Sequence, residues 1–162
     1  MDLRWEILAG YKDLFVAGFW MTVQLTIVAI VCGLLLGLLL GLVSSSRMAP
    51  KPKSPLLAVL IKPAQWLTLA YVTFFRGTPV LVQIIFWNNI SAVYPQLSFG
   101  VPFGGPDLIE VRANSLLTPF VVGMLALGLN EGAYMAEIVR AGILSVDEGQ
   151  GEAASALGMS RL

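Results

Sequence analysis

The stretch LFVAGFWMTVQLTIVAIVCGLLLGLLLGLVSSS, residues 14–46, contains no Asp, Glu, Lys or Arg. About 20 helical residues cross the roughly 30 Å hydrocarbon core of a bilayer, so this run is long enough for one span, which we place at about residues 19–43. A signal peptide has a shorter apolar core and a basic start, whereas the residues before this run mix acids and bases. The run therefore predicts a transmembrane helix.

The composition extends this interpretation to the whole chain. Hydrophobic residues make up 57%, charged residues 12%, and the mean hydropathy is +0.80, whereas a soluble domain carries roughly 25% charged residues. Two further apolar segments predict spans at about residues 66–94 and 113–137, and the Pro- and Gly-rich residues 95–106 between them predict a loop. We expect an all-α integral membrane protein, a helical bundle of about three transmembrane helices with a short helix at about residues 150–158.

The same composition excludes several function classes. The net charge is zero, so a basic face for nucleic acid is not expected. The chain has no histidine and a single cysteine, Cys32, which excludes His-based triads, His-ligated metals and an intrachain disulfide framework. It also has no GxxxxGK[ST] loop. We therefore expect no catalytic residues, no metal and no cofactor, and a partner chain would have to bind any ATP.

The distribution of lysine and arginine predicts the orientation of the chain. The N-terminal tail, residues 1–18, and the second loop together hold three of these residues, whereas the first loop region and the C-terminal tail hold seven. Because cytoplasmic loops carry the excess of positive charge, we expect the first loop and the C-terminal tail in the cytoplasm. The N-terminal tail would then lie outside.

The end of the chain, GEAASALG at residues 151–158, predicts a short cytoplasmic helix with an unusual surface. The two glycines of SVDEGQG, residues 145–151, are expected to break the preceding helix. Acids at Asp147, Glu148 and Glu152 favour a helix start, and Gly158 lies where a helix stop is expected. Because alanines bury little surface but permit close approach, this helix is better suited to docking than to core packing.

These residues also resemble a known family. Glu152, Ala153 and Ala154, followed by Gly158 and preceded by Gly149-Gln150, resemble the EAA loop of bacterial ABC transporter permeases. Three further blocks are similar to the subfamily that imports polar amino acids of the His, Glu, Gln, Arg and opine type. They are TVQLTIVAIVCGLLLG (22–37), AYVTFFRGTPVLVQI (70–84) and LGLNEGAYMAEIVRAGI (127–143).

The resemblance implies a multi-pass permease subunit of the bacterial inner membrane. Residues 19–162 would be the N-terminal part of a five-helix-type permease domain that is truncated at its C-terminus. The implied partners are a cytoplasmic ATP-binding subunit, a second permease subunit, identical or homologous, and a periplasmic or extracellular solute-binding protein. The solute would be an amino acid. ATPase coupling is implied for Gly149, Gln150, Glu152, Ala153, Ala154 and Gly158.

Polar residues within the apolar segments are candidates for the translocation path. They are Arg76, Thr78, Pro79, Gln83, Glu131, Tyr134 and Glu137. Arg76 before a helix start is typical of interfacial anchoring as well as of solute contact. Glu137 could meet the ammonium group of a solute, or it could pair with Arg140 at i,i+3. Both interpretations remain open from the residues.

Gly33, Gly37 and Gly41 repeat every four residues in the first span. This spacing produces a strip along which another helix can approach closely. Packing within the permease and a private homodimer are both compatible with it, and we favour packing within the permease.

Two rival functions remain. A small membrane enzyme would need clustered catalytic groups, which the absence of histidine disfavours. A structural or channel-type membrane protein needs only apolar spans, but it has no reason to keep a docking helix of the EAA type.

Overall fold

A computed structural model describes residues 10–45, 55–100 and 107–159. Six helices and one β-hairpin are present in these ranges. They are α1 (Lys12–Ser44), α2 (Pro55–Gly77), α3 (Val80–Val93), β1 (Gln96–Gly100), β2 (Asp107–Arg112), α4 (Ala113–Leu116), α5 (Pro119–Ser145) and α6 (Glu148–Ala156). The predominantly helical fold agrees with the predicted fold class. Half of the predicted outer tail, residues 1–9, lies outside the described residues.

The chain divides into two compact units. One contains Met1–Cys32 and Val80–Gly128, and the other contains Gly33–Pro79 and Leu129–Leu162. Helices α1 and α5 are each continuous across a unit boundary, so each helix contributes its first part to the first unit and its second part to the second unit.

In the second unit, α1 and α5 are in close contact along the glycine repeat. Gly33, Gly37 and Gly41 are all buried. A Cβ on Gly33 would lie 2.7 Å from Cγ of Glu131, and one on Gly37 would overlap Cβ of Met135. The glycines therefore permit an approach that any side chain would obstruct, and within the chain the strip is used for helix packing.

Two side-chain hydrogen bonds join α2 to α5 in the same unit. The Tyr71 hydroxyl donates to the carbonyl oxygen of Leu129 at 2.6 Å, and Nδ2 of Asn130 donates to the carbonyl oxygen of Phe75 at 3.0 Å. Both acceptors are helix carbonyls, so these bonds satisfy polar side chains within apolar helices, where an unpaired polar group is costly.

The first unit contains the hairpin. Strands β1 and β2 are antiparallel, with Gln96 opposite Arg112 and an irregularity between Phe99 and Gly100. The backbone N–H of Ala113 donates to the carbonyl oxygen of Pro95 at 3.0 Å and closes the base of the hairpin. The prediction of a loop over residues 95–106 is therefore wrong for residues 96–100. The β-branched Ile109 and Val111 in the facing strand are the signal that favours strand pairing.

The segment of the predicted span at about residues 66–94 is not one continuous helix. Helix α2 ends at Gly77 and α3 begins at Val80, with Thr78 and Pro79 between them. Proline has no N–H to donate and disfavours the helical conformation in the residue before it. The Thr78 hydroxyl donates to the carbonyl oxygen of Phe74 at 2.9 Å at this end of α2.

By length and apolarity, one described helix, α1, could cross a membrane, or two segments could if Ile61–Gly77 and α3 count as one interrupted span. Helix α5, which covers most of the third predicted span, is not among them. Its Asn130 and Glu131 interrupt the apolar sequence. The membrane boundaries of the three predicted spans remain predictions.

Candidate functional site: a docking helix and a charged cluster

Helix α6 is a short helix with a defined start and stop. At its N-terminus, Oδ1 of Asp147 accepts a hydrogen bond from the backbone N–H of Gly149 at 2.7 Å. At its C-terminus, Gly158 has φ +76°, its N–H donates to Ser155 O at 3.1 Å, and the N–H of Met159 donates to Ala154 O at 3.0 Å. This is the Schellman pattern, which favours glycine because an L side chain is strained there.

The boundaries of α6 differ from the sequence prediction. The helix spans Glu148–Ala156 instead of about residues 150–158, and Gly149 and Gly151 lie inside it instead of breaking the chain. The break between α5 and α6 comes at Val146 and Asp147. Glycine in a helix interior costs only about 1 kcal/mol, whereas a capping aspartate directly defines the start of a helix.

The predicted coupling residues lie together on α6 and its stop. Gly149, Gln150, Glu152, Ala153 and Gly158 are exposed, and Ala154 is half-buried. Just past the helix, Leu157 is 81% exposed and Met159 is 66% exposed. A small-residue helix flanked by two exposed apolar side chains is a surface that another protein could cover.

A second group of polar residues joins the end of α2 to α5. Nη1 of Arg76 lies 4.0 Å from Oε2 of Glu137, and its Cζ lies 5.3 Å from the centroid of the Tyr134 ring, within cation–π range. Nε of Arg140 donates to Oε2 of Glu137 at 3.2 Å, and Nη2 of Arg140 also bonds to Oε1. Glu137 is thus shared by two arginines.

The electrostatics of this group are those of a structural pair. Arg140 lies beyond the predicted third span, and its hydrogen bond to Glu137 together with the negative charge raises the pKa of its guanidinium. The guanidinium of an arginine is charged throughout the physiological range in any case. The contact between Glu137 and Arg140 shows the i,i+3 pairing that the spacing predicts, and it occupies both carboxylate oxygens.

The remaining candidates for the translocation path are not part of this group. Glu131 packs its side chain against Gly33. Gln83 is buried on α3 and belongs to the first unit. Thr78 and Pro79 form the break before α3. The structure therefore brings together three of the seven candidates, with Arg140 as an additional member.

The second unit also contains a cavity of about 440 Å³ that sequence analysis did not find. Its wall includes Ser44 at the end of α1, Lys62 and Trp66 on α2, and Glu137 and Arg140 on α5. Lys62 and Trp66 lie four residues apart, and this spacing could have indicated a shared helix face. Their position opposite α5 depends on tertiary packing.

Comparison with known proteins places these features in context. No protein-family model matches the chain. The chain is 47% identical over 90 residues to the arginine transport system permease protein ArgU of Corynebacterium glutamicum. The matched residues make up 56% of this chain and 27% of that relative. It is 33% identical over 156 residues to the L-cystine transport system permease protein TcyB of Bacillus subtilis, which covers 96% of this chain and 50% of the relative.

A solved structure shares the fold as well. The crystal structure of an amino acid ABC transporter with histidines matches 99% of this chain and 60% of its own chain, with a TM-score of 0.67 and 33% identity. The chain spans about half the length, or less, of the curated relatives named above. The two named relatives are transport system permease proteins for arginine and L-cystine, and the solved structure is that of an amino acid ABC transporter.

Proposed function

We propose that this chain forms part of the membrane-spanning permease of an ATP-driven amino acid importer. The observation that carries the proposal is α6, a capped helix with an exposed small-residue surface, in a chain whose helical fold matches an amino acid ABC transporter over 99% of its length. A channel or structural membrane protein would leave this helix without a use.

The proposed partner for α6 is a cytoplasmic ATP-binding subunit. The sequence has no P-loop of its own, so ATP hydrolysis would have to come from another chain. Helix α5 runs unbroken for 27 residues, and two residues separate it from α6. A force applied to α6 would therefore reach α5 through a very short connection.

The proposal includes a second permease subunit, an outside solute-binding protein and an amino acid as the solute. The relatives named as arginine and cystine permeases support this class of solute. Location in the bacterial inner membrane, with the N-terminus outside and α6 in the cytoplasm, rests on the lysine and arginine distribution.

For the translocation path, the pairing of Glu137 supports a structural role. Arg140 and Arg76 both neutralise its carboxylate, so little negative charge is left for a solute ammonium group. We propose that the polar residues outside this group, Gln83 and Glu131, are the more direct candidates for solute contact.

An experiment on Ala153 tests the docking role of α6. Ala153→Trp places a large side chain on the exposed small-residue surface without affecting a buried position, whereas Ala153→Ser keeps the surface small. In the full chain assembled with its ATPase and solute-binding protein in proteoliposomes, we expect Ala153→Trp to reduce ATP-driven uptake at least about tenfold, equivalent to roughly 1.4 kcal/mol of docking free energy. Ala153→Ser should transport normally.

Insertion and orientation serve as the control in the same experiment. In a Cys32→Ser background, the cysteine of Ala153→Cys should react with a membrane-impermeant maleimide only from the cytoplasmic side. Normal uptake by Ala153→Trp would contradict the docking role, and labelling from the outer face would contradict the orientation.

A further inference from the structure

The cavity of the second unit lies where the C-terminal end of α1 meets α2 and α5. All its lining residues belong to this unit, and its volume is about 440 Å³. Ligand pockets in proteins range from about 300 to 1,000 Å³, so the cavity is large enough for a small ligand or a lipid headgroup. Gln65 donates from Nε2 to the carbonyl oxygen of Val43 at 3.3 Å and so supplies a partner to one carbonyl at the end of α1.

Positive charge exceeds negative charge around this cavity. Lys62 and Arg140 contribute to its wall, and Arg76 lies close to the same acid, Glu137. Among the residues that the structure describes, Lys62 has no acidic partner within salt-bridge distance. Glu137 is therefore shared by the two arginines and does not neutralise Lys62, whose ammonium group is available to an anion.

Other residues that line the cavity are apolar and open to the surroundings. Trp66 is 72% exposed and Leu69 is 56% exposed, while Val72 and Ala136 form a buried apolar floor. Tryptophan is enriched where proteins meet the interface between lipid chains and headgroups. A cavity with a cationic side and an exposed apolar side is complementary to a molecule that carries both an anion and a hydrocarbon chain.

We propose that this cavity binds an anionic phospholipid such as phosphatidylglycerol. The phosphate would be near Lys62 and Arg140, and an acyl chain would lie along Trp66 and Leu69. The lysine and arginine distribution places this end of α1 at the cytoplasmic face, where basic pockets between membrane helices recognise anionic headgroups. The inference goes beyond transport, since it needs a membrane location and no ATPase.

A free phosphate shares the charge of the headgroup but not its apolar part. The exposed faces of Trp66 and Leu69 would contribute nothing to binding an inorganic anion. A zwitterionic lipid would contribute the acyl chain, but its net charge would not match the excess of cations. An anionic phospholipid is the class of ligand that can contact both the basic side chains and the exposed apolar side chains of the cavity.

The fluorescence of Trp66 provides the test. The full chain is reconstituted in bilayers in which either phosphatidylglycerol or phosphatidylcholine is brominated, at the same mole fraction, because bromine quenches tryptophan on contact. Subtracting the signal of Trp66→Phe isolates this residue from the other three tryptophans. We expect brominated phosphatidylglycerol to be enriched at Trp66 about fivefold over its bulk fraction.

Lys62→Gln should reduce this enrichment about fivefold, since one basic residue near the surface contributes about that factor. Lys12→Gln, which removes the same charge at the other end of α1, should leave it unchanged. Equal quenching by the two brominated lipids in the wild type, or full enrichment in Lys62→Gln, would overturn the proposal. Reversal of the enrichment by millimolar inorganic phosphate would instead assign the cavity to a soluble anion and would also overturn it. None of these results depends on ATP-driven uptake.

Discussion

Glycines on two helices of the second unit, α1 and α6, differ in their surroundings. On α1, a Cβ added to Gly33, Gly37 or Gly41 would collide with α5. On α6, a Cβ at Gly151 would meet nothing within 4 Å. The glycines on α1 allow α1 and α5 to approach each other closely, whereas Gly151 leaves the surface of α6 small and uncovered.

The difference shows that small residues serve two purposes in this chain. In the α1–α5 contact, the complementary surface is already present within the chain, so the small residues contribute to the stability of the unit. On α6, residues 149–156 are exposed except Ala154, which is half-buried, so the small residues contribute little to the stability of the unit. Replacing a small residue with a larger one should therefore reduce the stability of the fold in the α1–α5 contact and impair docking on α6.

The largest effect is expected at Gly37. Gly37→Leu would place a side chain against Cβ of Met135 and within 2.9 Å of the carbonyl oxygen of Gly132, which cannot rotate away. We expect the free energy of unfolding to fall by at least about 3 kcal/mol, at the upper end of overpacking costs. This change can be measured by denaturing the detergent-solubilised chain while monitoring its helix content by circular dichroism.

Gly18 supplies the matched control on the same helix, because a Cβ there would meet nothing within 4 Å. Gly18→Leu should change the free energy of unfolding by no more than about 0.5 kcal/mol. Equal stability of the two variants would mean that α1 and α5 do not approach each other along the glycine repeat.

A smaller and local effect is expected at Gly158. Its φ of +76° disfavours a β-branched residue, so Gly158→Val should destabilise the end of α6 by about 1–2 kcal/mol. The amide of Met159, which donates to Ala154 O, should then exchange with solvent faster, by about tenfold. The unfolding midpoint of the whole chain should not change.

Gly151→Ala is the control within α6. It adds a Cβ in open space at an ordinary helical position, so it should stabilise the helix by roughly 0.5–1 kcal/mol and slow amide exchange. If Gly158→Val lowered the midpoint of the whole chain instead, α6 would unfold together with the rest of the second unit and would not be an independent docking element.

Local features of the fold could be predicted from the sequence. The uncharged run of residues 14–46 predicts a long helix, and α1 covers most of it. The repeat at Gly33, Gly37 and Gly41 predicts close packing, and Gly158 predicts a helix stop. Each of these features depends on residues that are near one another in the sequence, so a local pattern is enough to predict it.

Other features depend on weak signals or on distant residues. The helix start at Pro79 is indicated locally, because proline favours the first turn of a helix, but the predicted span of about residues 66–94 runs across it because apolar sequence continues on both sides. The hairpin was missed because the glycines and prolines of residues 95–106 mask the short β1 strand. The contact of Arg76 with Glu137 joins residues far apart in the sequence, so no local pattern indicates it.

The smallest expected effect concerns the two arginines that share Glu137. The side chains of Arg76, Arg140 and Glu137 are 31–41% exposed, and exposed ion pairs contribute about 0.2–1 kcal/mol. In double-mutant cycles with Glu137→Gln, we expect a coupling of about 0.5 kcal/mol for Arg140→Gln and less for Arg76→Gln, whose nearest contact is 4.0 Å.

The salt dependence of these couplings sharpens the comparison between covered and uncovered regions. In water, both couplings should shrink when the salt concentration rises from 0.1 to 1 M, because the Debye length falls from about 10 to about 3 Å. A coupling that resists salt and exceeds about 2 kcal/mol would mean that lipid or protein covers the group, since desolvation strengthens an ion pair. Glu137 would then belong with the covered glycines of α1 and not with the exposed surface of α6.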